Sequence, residues 1–214
     1  MNPSALRLTV YDTSAARSAE FRGDNATYFV YAPDGLVAIR DADGDSAIAP
    51  DEGRFVSGQF AVTRSKAWVF ELAPVNQAPS LADGTDIVLS HPLDPAFEGP
   101  AILRADRVAS DPGSRTPRHG HRGAGIRRLL RGAIRAAIGE RVERFDAGRA
   151  WFESGSEWVI GENISGGENV FVRVMLLPAD LAGGLSSFVP AAPEEAKAPR
   201  AINYRLFGEI TLDR

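Results

Sequence analysis

Apolar and polar residues alternate over short stretches in the first half of the chain, and these stretches are rich in aromatic and β-branched side chains. Thr27–Tyr31 and Ala67–Leu72 are of this kind, with turn pairs such as Asp34-Gly35 and Asp43-Gly44 nearby. Such side chains suit a pleated, half-buried surface, so the pattern predicts strands. Short strands at this spacing indicate a sandwich or a barrel. Pro74, Pro79, Pro92, Pro95 and Pro100, with Gly84 and Gly99, then surround the strand-like Asp86–Ser90. That composition marks a crossing between two units, residues 1–92 and 93–214. Near the end, Gly183–Val189 begins an extended region, Pro190–Pro199 reads as a surface loop, and Ala201–Asp213 as one or two closing strands.

One stretch points elsewhere. Ile126, Leu129, Leu130, Ala133, Ile134, Ala137 and Ile138 recur at helical spacing, with Arg127, Arg128, Arg131 and Arg135 between them. Gly132 and Gly139 oppose a helix, since each costs about 1 kcal/mol in a helix interior. Both fit turns between short strands, which are the expectation here.

The two halves share a faint repeat. Asp51–Gly58 is followed by Trp68–Pro74, and Asp146–Gly155 is followed by Val170–Pro178, so turn, strand, turn and closing strand recur in the same order.

Composition narrows the chemistry. The 214 residues carry 24 Lys+Arg against 28 Asp+Glu, a net charge of −4, with 44% apolar residues. A core of real size is available and no crosslink is needed. Zero Cys removes thiol catalysis and Cys-ligated metals, leaving His and carboxylates as metal ligands. No stretch approaches the roughly 20 apolar residues of a membrane span, and residues 1–21 lack the apolar core of a signal segment, so a cytoplasmic protein without a membrane partner is expected. Residues 113–144 hold nine Arg against Glu140 and Glu143, a basic stripe of the kind that meets nucleic acid. The whole chain is acidic, however, and Phe145 is the only aromatic near that stripe, so a general Arg bias explains it and a nucleic-acid partner is not expected.

Two of the three histidines form His119-Gly-His121. On a strand, residues two apart share a face, which brings both imidazoles within reach of one cation; an exposed pair on a solvated strand is the alternative.

The surroundings of that pair resemble the cupin family. Its first motif runs Gly, five residues, His-X-His, three or four residues, Glu, six residues, Gly. Gly113, His119, His121 and Gly132 fall on that spacing, and Gly155 falls where the second motif has its Gly. The resemblance is clear over residues 100–178 and extends through the repeat to residues 20–74. It implies an all-β bicupin, two tandem cupin-like barrels or jelly rolls. The N-terminal half has no His before His91 and would be metal-free. Two departures stand out: Gly125 occupies the position of the family's ligand Glu, and Trp158 that of the second-motif His. A metal then needs a carboxylate from Glu153, Glu157 or Glu162, and Glu153 is taken as the third ligand beside His119 and His121. Iron, manganese, nickel and zinc are the metals such a site would hold.

In the family's register Arg127 and Leu129 point inward. Arg127 would then meet a carboxylate or phosphate on a small ligand, or pair with a nearby Glu. Trp158 would stack on a ligand or fill the space that the missing His leaves. The functions implied are a metal-dependent enzyme acting on a small polar or carboxylated metabolite, a metal-free acid–base enzyme, or a ligand-binding barrel without catalysis. A terminal strand placed to cover a sheet edge allows a homodimer.

Overall fold

The computed structural model describes residues 5–23, 25–80, 83–94, 97–200 and 202–212. Pro95, Ala201 and Asp213, which figure in the sequence reading, lie outside them. The chain divides into two units, Met1–Leu93 and Asp94–Arg214.

The first unit holds β1 (Leu6–Thr13), β2 (Ala19–Phe21), β3 (Thr27–Tyr31), β4 (Val37–Asp41), β5 (Gly44–Ile48), β6 (Gly53–Ser57), β7 (Phe60–Val62), β8 (Trp68–Pro74) and β9 (Thr85–Leu93). They form an antiparallel sheet β6-β3-β8-β1-β9 and a second sheet β2-β7-β4-β5. The central strands β1 and β8 are buried almost throughout; β8 is accordingly apolar at consecutive positions, while the buried Arg7 and Thr9 of β1 are satisfied by hydrogen bonds to each other and to Glu71 and Ser90.

The second unit repeats this plan. Its strands are β10 (Ala101–Ser110), β11 (His119–His121), β12 (Ala124–Arg131), β13 (Ala133–Ile138), β14 (Arg141–Asp146), β15 (Ala150–Glu153), β16 (Val159–Asn163), β17 (Asn169–Pro178), β18 (Phe188–Pro190) and β19 (Asn203–Leu212). A one-turn helix, α1 (Pro193–Lys197), lies in the stretch read as a loop. The sheets run β15-β12-β17-β10-β19 and β14-β13-β16-β11-β18, the order of the first unit with β18 added.

The correspondence extends to register. Leu6 pairs with Pro74 and Ala101 with Pro178. The ladders to β9 and β19 slip at matching places, between Val10 and Tyr11 and between Ala105 and Asp106. Residues of the two units can therefore be matched one to one along these strands, and the repeat in the sequence falls on β6 and β8 against β15 and β17.

The helical spacing over 126–138 belongs to two strands. β12 and β13 are joined at Gly132, whose φ of +85° suits glycine and closes the turn. Inward-facing Leu129, Ile134, Ala136 and Ile138 pack with Phe145, Trp151 and Val159 in one apolar cluster, so a helix-like spacing arises from two period-2 strands read in series. No helix among the described residues is long and apolar enough to cross a membrane.

Candidate functional site

The second unit encloses a cavity of about 370 Å³, lined by residues from β10, β11, β12, β13, β15, β16 and β17 and by the segment 184–204. Val108, Ile134, Trp151, Val159, Phe171 and Phe188 give it apolar walls, while His119, His121, Arg127, Glu153 and Arg173 bring polar groups to it.

β11 is short but pinned on both edges, His119 opposite Val159 of β16 and His121 opposite Phe188 of β18. The strand alternation expected from the sequence therefore operates: both imidazoles face the cavity, their rings perpendicular with centroids 4.9 Å apart. His119 is stacked on Phe188, 4.7 Å between centroids. Its Nδ1 lies 2.8 Å from the Pro117 carbonyl oxygen, which can only accept, so Nδ1 carries the proton of the neutral ring and Nε2 keeps its lone pair. Burial pushes the His119 pKa down. His121 is held well below the usual imidazole range, first by burial and then by the charges of Arg127 and Arg173. Its Nδ1 is 3.1 Å from Ser187 Oγ and its Nε2 3.5 Å from Glu153 Oε2.

Glu153 is the third member of the group. It sits on β15 directly opposite Gly125 of β12. A Cβ on Gly125 would fall 2.8 Å from the Met175 Cα and closer still to the Val174 carbonyl oxygen, so β12 and β17 approach too tightly for any side chain there. The carboxylate missing at 125 is thus supplied from the neighbouring strand. Glu153 Oε1 accepts a hydrogen bond from Trp151 Nε1 at 2.9 Å. Oε2 lies 2.7 Å from Arg127 Nη2 but out of line for a directed N–H bond, so that contact is chiefly charge on charge. Arg127 also donates from Nη1 to the Gly125 carbonyl at 2.8 Å. Burial lowers its pKa to about 10, with Glu153 opposing the shift, so it stays charged at neutral pH.

His119, His121 and Glu153 are therefore brought to one cavity. No cluster of three or more His, Asp or Glu side chains arranged to hold a metal occurs among the described residues. A cation is already present, the guanidinium of Arg127 against the carboxylate a metal would need. Of the alternatives, Glu157 lies near Ser154 and Arg141, and Glu162 pairs with Arg135 at the surface.

Trp158 requires a correction. It does not line the cavity and is 38% exposed, with the Arg118 guanidinium over its ring. Its neighbour Val159 pairs with His119 and faces inward, so Val159 holds the position facing the histidines and alternation turns Trp158 the other way.

The sequence reading missed Asp106, Arg173 and Arg104. Asp106 is fully buried, and Arg173 Nε donates to its Oδ1 at 2.5 Å. Arg104 pairs with Glu209 at 2.6 Å and donates to the carbonyls of Leu185 and Leu181. A signal existed: each is a charged residue inside an otherwise apolar strand, where a charge is costly unless paired or used. The basic stripe, by contrast, is largely neutralised at the surface, Arg122 by Asp180, Arg131 by Glu168, Arg135 by Glu162 and Arg144 by Asp146.

No protein-family profile matches the chain, and no curated protein matches it in sequence. Solved structures match in fold. AerE from Microcystis aeruginosa superposes with a TM-score of 0.56 at 12% identity, over 83% of this chain and 90% of that one. A cupin 2 conserved barrel domain protein from Leptotrichia buccalis gives 0.53 at 10%, over 82% and 86%. A point mutant of Bacillus subtilis oxalate decarboxylase, an enzyme described with Mn(II) centres, gives 0.61 at 12%, over 92% and 74%.

Proposed function

Taking the two-barrel cupin fold of this chain as the premise, we propose that the C-terminal barrel is a metal-independent cup for a small organic ligand. The observation that carries this is the position of Arg127, whose guanidinium lies 2.7 Å from Glu153 Oε2. A divalent cation would have to displace a fixed positive charge to gain that carboxylate. Without Glu153, two neutral imidazoles remain, fewer than the three protein ligands that an open catalytic site typically uses. The barrel retains a cavity of about 370 Å³, of the size that holds a small metabolite.

The test is direct. Tag-free protein is incubated with iron, manganese, nickel or zinc, desalted, and analysed by inductively coupled plasma mass spectrometry. Far less than one metal per chain is expected. Near-stoichiometric metal that is lost in His119→Ala would overturn the reading and restore a metal-dependent enzyme.

A second reading, acid–base catalysis without a metal, is favoured by one feature of His119. Its Nδ1 is engaged by Pro117, which leaves an Nε2 lone pair on a ring that lines the cavity. Such a group can accept a proton from a bound ligand. Enzyme-dependent deuterium uptake at C3 of 2-oxo acids in D2O, absent in His119→Gln, would support it; the same slow uptake with and without protein would remove it.

A further inference from the structure

We infer that Arg173 is the docking group for the acidic end of the ligand, which makes that ligand a small organic anion with an apolar body. This rests on the cup reading above and goes further by naming a residue and a ligand class.

The arginines of the cavity are not equivalent. Arg104 is spent: Nε is on Glu209, and both Nη groups are on backbone carbonyls. Arg127 is spent on Glu153 and the Gly125 carbonyl. Arg173 uses only Nε, on Asp106 Oδ1. Its two Nη groups have no hydrogen-bond partner among the described residues, the guanidinium otherwise lying 5.9 Å over the Tyr204 ring, although the residue lines the cavity and its side chain is only 13% exposed. The unused edge of a guanidinium, two parallel N–H groups, matches the two oxygens of a carboxylate.

Charge balance agrees. Five arginines line the cavity, and the carboxylates paired with them are Glu153, Asp106 and Glu209. The excess of two positive charges lies with Arg115 and Arg200, both exposed and without a carboxylate partner among the described residues. An anion is therefore attracted at the entrance and met by a donor pair inside. The same cavity has apolar walls, Phe171, Val159 and Phe188 among them, which suit a hydrocarbon or aromatic body.

The N-terminal unit supplies an independent comparison. Register matches Asp106 and Arg173, which are opposite each other on β10 and β17, to Tyr11 and Val69, opposite each other on β1 and β8. Both of the latter are fully buried, Val69 among apolar side chains and Tyr11 with its hydroxyl donating to the Glu71 carboxylate that Arg7 pairs with. The fold therefore does not require an ion pair at this place. Burying two charges costs several kcal/mol of desolvation per ion, and each unit carries its buried pair at a different place, Arg7–Glu71 in the first and Arg173–Asp106 in the second, so the position of the second pair beside the cavity is not set by the shared fold.

The experiment uses the full chain and matched neutral probes. Calorimetry measures the binding of butanoate, hexanoate and benzoate and of their primary amides. Arg173→Met alone would strand Asp106 as a buried charge, so the variant is Asp106→Leu together with Arg173→Met, patterned on the apolar pair of the other unit; circular dichroism checks its fold. At least one acid is expected to bind ten-fold or more tightly than its amide, and the double variant to bring the acid to the level of the amide while leaving the amide unchanged. Arg173→Lys, which keeps the charge but loses the paired donors, should lie between. Equal binding of acid and amide by the unmodified protein overturns the inference and leaves the cup reading intact, as does an acid preference that survives the double substitution. Failure of every acid and amide to bind at 10 mM (about the weakest binding calorimetry reads) removes the cup reading and this inference together.

Discussion

Arg127→Met isolates the charge that stands in the way of a metal. The change roughly preserves length and apolar volume, so little packing is lost, but it leaves the Glu153 carboxylate in a side chain 7% exposed with the Trp151 indole as its remaining directed donor. The nearest other basic group, His121 at 3.5 Å, is kept neutral by burial and by neighbouring arginines. Removing one partner of a buried pair costs about 3–5 kcal/mol. For a unit of 121 residues, Asp94–Arg214, that corresponds to a fall in Tm of roughly 10–20 °C. Glu153→Gln should cost a similar amount, because it leaves Arg127 charged and 1% exposed. The double variant removes both charges and should recover most of the loss, to within about 1–2 kcal/mol of the unmodified chain. Urea unfolding followed by far-UV circular dichroism and Trp fluorescence provides the three differences. Additive losses, with the double variant as unstable as the sum of the single ones, would show that the pair is not coupled and would end the argument that Arg127 acts as the internal cation.

Three further outcomes follow from the same geometry. Arg127→Ala frees Glu153 to join His119 and His121, so this variant should retain zinc after desalting and gain thermal stability from it, whereas the unmodified chain should do neither; no uptake by the variant would mean that the three groups cannot converge. Gly125→Ala should destabilise by about 2 kcal/mol or more in urea unfolding, because the new Cβ meets backbone that cannot move aside; an unchanged midpoint would refute the close approach of β12 and β17. Both cavity histidines have folded pKa values below the unfolded value near 6.5, so the unfolded chain binds more protons and stability falls as pH drops below about 6.5, by at most about 1.4 kcal/mol per pH unit for each. Asp106, raised by burial, contributes the opposite slope in its own window above its ordinary carboxylate pKa, so the comparison is with His119→Gln/His121→Gln, which should lose the fall; equal slopes would sink the assignment.

Much of the fold could be read from local pattern, and much of the site could not, for a physical reason. Strands are specified by alternation and by turn residues over a few positions, so Thr27–Tyr31 and the turn at Gly132 were readable. His119 and His121 were readable because both the motif and the shared face are local. Trp158 was misassigned because Ser154–Glu157, between β15 and β16, carries no period, and a shift of one residue reverses every side chain on the strand that follows. Asp106 and Arg173 are 67 residues apart, and nothing near either announces the other. Glu153 was one of three carboxylate candidates, and only the pairing of β12 with β15 selects it.

The two units show how one backbone plan supports different interiors. Counted from matching hairpins, Phe21 opposite Phe60 corresponds to His119 opposite Val159. In the first unit Phe21 stacks on Phe60 at 5.0 Å, and Tyr11 and Tyr28 meet them edge-on. Each such contact adds about 0.5–1.5 kcal/mol to ordinary burial. Where that unit has Tyr28, Val30 and Val56, the second has Gly125, Arg127 and Glu153. Replacing buried ion pairs by packed apolar residues is often neutral or stabilising, so an ionic interior is not in itself a source of stability. Two barrels of the same register thus differ in how they fill their centres: an aromatic cluster beside one buried ion pair in the first, and a partly open cavity lined by charged groups in the second.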